Sequence, residues 1–181
     1  MLNTIAVFCS ASDDLEEKYY REAFEIGEEL AKNNCSVVYG GVHKGLMKSL
    51  AEGVKSQNGR LIGIVPEYID KKIVCPYLNE LIIVKNLSER KQKMLDLSDK
   101  FLSLYGGVGT LDEFFSILAA KQIGEHTKDI LLYDSEKFYN YIFSQLNIIF
   151  DKKFSTGTPQ VLLLKTVQDL HNLFLKSLIY K

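Results

Sequence analysis

A run of glycines ahead of an acid is the feature of this chain most suited to chemistry. Residues 104–113 read Leu104-Tyr105-Gly106-Gly107-Val108-Gly109-Thr110-Leu111-Asp112-Glu113. Lacking Cβ atoms, Gly106, Gly107 and Gly109 let the backbone approach an anion closely and take φ > 0 where a turn needs it. The segment opens into a helical pattern, so unpaired N–H groups and the positive end of a helix dipole would face the ligand. Thr110 adds a hydroxyl donor, and a phosphate suits such a loop. The spacing is not that of a P-loop, which needs Lys-Ser/Thr after the last glycine. Nor is it Gly-x-Gly-x-x-Gly, so a dinucleotide cofactor is not the favoured ligand. A plainer reading competes: Thr110-x-x-Glu113 is also a capping box, and Gly-Gly can be only a tight turn.

Two further groups bear on this loop. Arg90-Lys91, with Met94 one turn on, offers a planar fork of donors and a point charge, both suited to phosphate, with the purine edge a further match for the fork. An isolated Arg-Lys pair can equally be a solvated helix face. Tyr39-Gly40-Gly41-Val42-His43-Lys44-Gly45-Leu46-Met47 is a second strand–glycine–helix junction, which could hold a ligand or pack against the first, with Leu46 and Met47 read as core. Ser10 and Gly41 are counted as candidate substrate contacts, because both follow strands where open parallel sheets bind ligands. His43, His126 and His171 are scattered and form no metal-ligand motif, so no catalytic metal is expected. Cys9, Cys35 and Cys75 match neither a metal knuckle nor a redox pair. Neither Ser10 nor Ser12 lies in Gly-x-Ser-x-Gly, so a hydrolase triad has no support.

The elements that must position these residues alternate. Strand-like runs are expected at Ile5–Phe8, Ser36–Tyr39, Leu61–Val65, Leu81–Val84, Phe101–Leu104, Ile130–Leu132 and Val161–Leu164. Helical periodicity falls at about Leu15–Ala31, Gly45–Lys55, Leu87–Leu97 (with Ser88 as a candidate N-cap), Leu111–Gln122, Phe138–Phe150 and Val167–Leu178. Short apolar strands alternating with helices predict an α/β, Rossmann-like three-layer domain, its mainly parallel sheet covered by helices on both faces. The polar stretch 151–159 reads as a loop too short for a linker, so residues 1–181 are expected to form one domain.

The composition agrees with an ordinary soluble globule: 181 residues, 46% hydrophobic, 25% charged, formal net charge -1. That balance gives no bulk attraction to nucleic acid or anionic membrane. The N-terminal segment lacks the pattern of a signal peptide, and no apolar run is long enough to span a bilayer. A reduced, cytoplasmic setting is the simplest expectation for the three cysteines.

Taken together, these motifs resemble the Lonely Guy (LOG) family of cytokinin-activating phosphoribohydrolases, long mislabelled as lysine decarboxylases. Gly106-Gly107-Val108-Gly109-Thr110-Leu111-Asp112-Glu113 is similar to the family's Pro-Gly-Gly-x-Gly-Thr-x-x-Glu after its proline, and Arg90-Lys91 to the pair that precedes it. Tyr39-Gly40-Gly41, Gly45-Leu46-Met47, the segment 59–66 and Gln122-Ile123-Gly124-Glu125-His126 follow in matching order. The chain departs in having Tyr105 for the proline, Ser10-Ala11-Ser12 for Gly-Ser-Ser, Val42 for a glycine, Leu87-Ser88 for Met-His, and Ala119-Ala120 for Thr-Trp. The last change removes a hydroxyl that lines the family's pocket.

The resemblance implies hydrolysis of the N-glycosidic bond of a nucleoside 5′-monophosphate, such as AMP or a cytokinin riboside monophosphate, to free base and ribose 5-phosphate. It implies that Glu113 stabilises the oxocarbenium-like sugar or activates water, and that Arg90 holds the substrate and assists departure of the base. Lys91 and the backbone of Gly106, Gly107, Val108, Gly109 and Thr110 would anchor the phosphate, and Asp112 would contact ribose or support Glu113. No cofactor is implied, and a homodimer with sites completed near its interface is. The alternative is a nucleotide-binding or carrier module without catalysis. Lysine decarboxylation would need a Schiff-base lysine for pyridoxal phosphate, and no lysine is marked for it.

Overall fold

The computed structural model describes residues 3–158 and 160–179, with side chains described to residue 175. Met1, Leu2 and Pro159, the last residue of the expected 151–159 loop, lie outside the described residues, as do the side chains at the end of the last helix. In chain order the elements are β1 (Thr4–Phe8), α1 (Glu17–Lys32), β2 (Ser36–Tyr39), α2 (Gly45–Ser56), β3 (Arg60–Pro66), β4 (Glu80–Val84), α3 (Leu87–Leu97), β5 (Lys100–Ser103), α4 (Val108–Gln122), β6 (Asp129–Tyr133), α5 (Asn140–Asp151), β7 (Val161–Leu164) and α6 (Val167–Ile179). The seven strands form one sheet in the order β4-β3-β2-β1-β5-β6-β7, parallel at every pairing. The expected three-layer α/β architecture is the one observed.

Alternation along each strand divides the core. Ile5 and Val7 of β1, with Cys9 just beyond it, pack on one face with Ala23, Ile26 and Leu30 of α1 and Leu46 and Leu50 of α2. Ala6 and Phe8 point the other way, into a second cluster with Met94 of α3, Phe114 and Ile117 of α4 and Leu146 of α5. Both faces of the central strands are apolar, which is why they read as continuous runs rather than as alternation. The edge strands are less covered: Leu81 and Ile83 of β4, and Leu162 and Leu163 of β7, are exposed.

The strand order decides where a ligand can sit. From β1 the chain steps through β2 and β3 to β4, then crosses back by α3 to place β5 on the other side of β1. α1 and α4 therefore leave β1 and β5 toward opposite faces. The loops that follow these two strands flank the crevice of a topological switch point.

Several boundaries differ from expectation for local reasons. α4 begins at Val108 rather than Leu111, because Val108 and Gly109 themselves enter the first turn, with Gly107 as the cap. α5 begins at Asn140 rather than Phe138, whose N–H is held instead by Asp134 Oδ1 at 2.7 Å. A short 3-10 turn at Lys71–Ile73 was not anticipated; it leads into an isolated antiparallel bridge between Val42 and Val74. The N-cap of α3 is Asn86, not Ser88: the Asn86 side chain accepts a hydrogen bond from the Glu89 N–H at 2.9 Å. Glu89 answers by accepting from the Lys85 N–H at 2.8 Å.

That cap lies directly before Arg90 and Lys91. Asn86→Ala is expected to lower the unfolding free energy by about 1 kcal/mol, the usual loss for an N-cap oxygen. A urea denaturation midpoint indistinguishable from that of the parent protein would contradict this role.

Candidate active site

The loop after β1 and the loop after β5 are tied together by the Ser10 N–H, which donates to the Tyr105 carbonyl at 3.0 Å. The Met47 N–H donates to the Ser10 carbonyl at 3.2 Å, which joins α2 to the same corner. Ser12 N–H donates to Ser10 Oγ at 3.0 Å. Against this corner lies a cavity of about 410 Å³, its walls formed by residues 9–12, Met47 and Leu87, by Arg90 and Lys91, by residues 107–110, and by Asp112 and Glu113.

One end of the cavity is built for an anion. Gly107 is the N-cap of α4 and makes no side-chain capping bond, so the first-turn N–H groups and the helix dipole meet the cavity. Thr110 lies inside the first turn and is buried. A Cβ on Gly106 would fall 2.0 Å from Thr110 Oγ1, so only glycine lets this threonine fold against the loop.

The other end holds a buried ion pair. Glu113 Oε1 lies 3.5 Å from Arg90 Nη2, with the two side chains 8% and 13% exposed. Each has a buried apolar residue one turn further along its helix, Met94 after Arg90 and Ile117 after Glu113. Side chains four apart share a helix face, so burying the second aims the first. The guanidinium also needs Gly40, where a Cβ would stand 2.2 Å from Arg90 Nη2. Arg90 Nε is buried without a protein hydrogen-bond partner.

This geometry excludes the capping-box reading of Glu113. A capping box would require Thr110 at the N-cap, with Glu113 folded back to the N-cap N–H. Here the cap is Gly107, and the Glu113 carboxylate faces Arg90 instead. Burial raises its pKa above the ordinary carboxylate range; Arg90 opposes the shift, Asp112 adds to it and Lys91 opposes it. Burial likewise pushes the Cys9 thiol up, with Glu113 adding to the effect, so Cys9 is no thiolate nucleophile.

The other candidates are placed as follows. Lys91 reaches the cavity, but its ammonium is held by both carboxylate oxygens of Asp112 at 2.8 Å and by Ser116 Oγ at 3.0 Å. Ser10, Gly107, Val108, Gly109, Thr110 and Asp112 line the cavity. Gly106 and Gly41 do not: Gly106 backs the loop, and Gly41, at φ +71°, accepts from the Cys75 N–H at 2.8 Å. Ala11, Ser12, Met47 and Leu87 also line it, although sequence reasoning had not put them in the site. Their signal was position alone, at the ends of strands or starts of helices beside the switch point. Ala119 is not among the residues lining this cavity and lines a groove with Phe115 and Leu146 instead. Its substitution therefore removes nothing from the cavity walls of this chain.

Tyr105 has a clear structural role. Its hydroxyl accepts from the Ser135 N–H at 2.7 Å and lies 2.7 Å from Ser135 Oγ, which reaches Glu22 at 2.9 Å. Its ring packs against Tyr19 at 4.7 Å between centroids and stacks on Tyr139 at 6.5 Å. The glycine loop is thus braced from beneath by an aromatic cluster rather than stiffened by a proline.

The family described as "Possible lysine decarboxylase" matches residues 47–176. A cytokinin riboside 5′-monophosphate phosphoribohydrolase of Arabidopsis thaliana is 34% identical over 151 residues, covering 83% of this chain and 66% of that protein. An enzyme of the same name from Rhodococcoides fascians is 33% identical over 145 residues, covering 79% of this chain and 73% of that protein. This chain belongs to the LOG family. It spans just under two thirds of the Arabidopsis relative's length. Among solved structures, the molybdenum cofactor binding protein of Rippkaea orientalis shares the fold, with a TM-score of 0.76, 20% identity, and coverage of 99% of this chain and 98% of that one. Among the described residues no helix is long and apolar enough to cross a membrane.

A carbon-13 carboxyl titration should find the Glu113 midpoint above the ordinary carboxylate range. Arg90 holds that midpoint down, so Arg90→Leu should move it further up. A downward shift in the variant would show that the guanidinium does not stabilise the ionised carboxylate.

Proposed function

We propose that this chain hydrolyses the N-glycosidic bond of a nucleoside 5′-monophosphate with an adenine-type base, releasing the base and ribose 5-phosphate. The observation that carries the reading is the buried Glu113–Arg90 pair sharing one cavity with an uncapped helix N-terminus. The phosphate binds the N–H groups at the start of α4, with Thr110 and Ser10 adding hydroxyls. The sugar lies over Glu113, and the base lies toward Arg90, Met47 and Leu87. As the C1′–N bond breaks, positive charge grows on the sugar, and a nearby carboxylate in a water-poor site stabilises it. Glu113 takes a proton from the attacking water as the C1′–O bond forms. The leaving base keeps the bonding electron pair and takes a proton from solvent while Arg90 donates hydrogen bonds to it, and Glu113 then returns its proton to solvent, so that one water is consumed. Lys91 either stays with Asp112 or swings to the phosphate when the nucleotide enters.

The relatives' names support the substrate class, and the assay offers AMP, other monophosphates and isopentenyladenosine monophosphate. Preferential release of isopentenyladenine would assign the chain to cytokinin production. Because Glu113 must be ionised to act as base, the rate should rise with pH through its elevated pKa. Glu113→Gln should lower kcat/KM by at least ~100-fold, the usual scale for a lost general base. Unchanged turnover in that variant would exclude the role. The second reading, a nucleotide-binding or carrier module without catalysis, is favoured by the ion pair itself, since Arg90 already engages the Glu113 carboxylate at 3.5 Å. It predicts phosphate-dependent binding with no free base from any monophosphate.

We further propose that the functional unit is a homodimer assembled on α4. Phe115 and Ile123 of α4 are exposed, and a groove of about 330 Å³ beside them is walled by Leu118, Leu146, Ile149 and Phe150. A surface helix that is apolar on more than its core-facing side has a second face to bury. A second copy seated there would stand close to the cavity that the start of α4 forms. Light scattering should give twice the 20.6 kDa chain mass, and Ile123→Asp should return it to monomer. A monomeric parent protein would remove this part of the proposal.

A further inference from the structure

A second hollow lies on the opposite side of the glycine loop. It has a volume of about 290 Å³ and is walled by Leu15, Tyr19, Tyr105 and Phe138. Ser10, Ser12 and Gly107 line both it and the main cavity. The two spaces therefore meet at a crest formed by the loops after β1 and β5, where the Ser10 N–H is bonded to the Tyr105 carbonyl. The switch point explains the arrangement: α1 and α4 diverge to opposite faces, which opens the crevice on both sides of the crest.

The walls of the second hollow are suited to a ring rather than an ion. Tyr105 is fixed by Ser135 and by its stacking on Tyr139. Phe138 sets its edge against Tyr105 and Tyr139 at centroid distances of 5.5 and 4.8 Å, yet remains 51% exposed. One aromatic face is thus left for a ligand. The polar groups beside the hollow are already matched: Tyr19 donates its hydroxyl to Glu136 at 2.9 Å, and Lys18 is paired with the same carboxylate. Leu15 supplies an aliphatic surface opposite the rings.

We propose that this hollow is a second subsite, which takes a planar aromatic group joined to the far oxygen of the bound phosphate. The site then accepts phosphodiesters of a nucleoside as well as monoesters. The inference rests on the phosphate position given under the proposed function. A ligand held at the crest by its phosphate places its nucleoside over Arg90 and Glu113, and its second ring between Phe138 and Tyr19. A diester keeps one negative charge for the helix N-terminus, so the anion site still recognises it.

The test compares binding of AMP, its methyl ester and its phenyl ester by calorimetry. The two esters carry the same charge and differ in the ring, so their ratio isolates the hollow. The phenyl ester should bind about tenfold more tightly than the methyl ester, the scale expected of one buried aromatic contact. Phe138→Ala, which removes a wall, and Leu15→Phe, which fills the space, should each bring that ratio to within about twofold, with AMP affinity nearly unchanged. Two variants acting by opposite means keep the result from depending on the folding of either. Equal affinity of the two esters, or a ratio that survives both variants, overturns the subsite while AMP binding stands. If AMP and both esters all fail to bind, the nucleotide reading falls and this inference falls with it.

Discussion

The contact between Arg90 and Glu113 is the constraint on which the site depends. Two opposite charges buried together give little net stability, but removing one partner leaves the other stranded at a cost of several kcal/mol. The chain holds this pair only because three elements converge on it. α3 is pinned by Met94, α4 is pinned by Ile117, and the turn after β2 contributes a glycine at the one place where a side chain would displace the guanidinium. A buried carboxyl with a raised pKa and an arginine with an unpartnered Nε mark this corner as the candidate site.

The glycine loop depends on the same corner from the other side. Its anion-binding end needs backbone N–H groups that point into the cavity and stay there when nothing is bound. The uncapped start of α4 supplies the donors, and Tyr105 supplies the rigidity through its bonds to Ser135 and its packing with Tyr19 and Tyr139. Lys91 sits between the two ends, neutralised by Asp112. The cavity thus sets an uncapped helix N-terminus apart from a buried ion pair, a division that suits the glycosidic cleavage proposed above.

The architecture itself does not choose this chemistry. A molybdenum cofactor binding protein shares the fold across nearly its whole length at 20% identity, and a fold by itself assigns no occupant. What distinguishes this chain is the set of side chains at the switch point. Family membership and cavity geometry agree there in part: Arg90, Lys91 and residues 107–110, 112 and 113, which carry part of the resemblance, line the cavity.

Much of this was legible in the amino-acid sequence, and the division follows physical lines. Strand and helix positions, the parallel α/β class and the glycine loop were readable because apolar periodicity, glycine sterics and helix-entry chemistry act within a few residues. Asn86 was missed as the cap of α3 because Ser88 fits the same local rule, and the backbone at residue 86 settles which side chain reaches an N–H. Sequence also left Glu113 divided between capping and catalysis, and Tyr105 without an explanation. Only the tertiary structure could exclude the cap and show what Tyr105 supports. Whether Glu113 meets Arg90 depends on how α3 and α4 pack on one sheet face, and whether Tyr105 braces a loop depends on α1 and the segment after β6 arriving beside it. Such contacts join residues far apart in the chain, and they are specified by the order of the strands, which no local pattern of residue types contains.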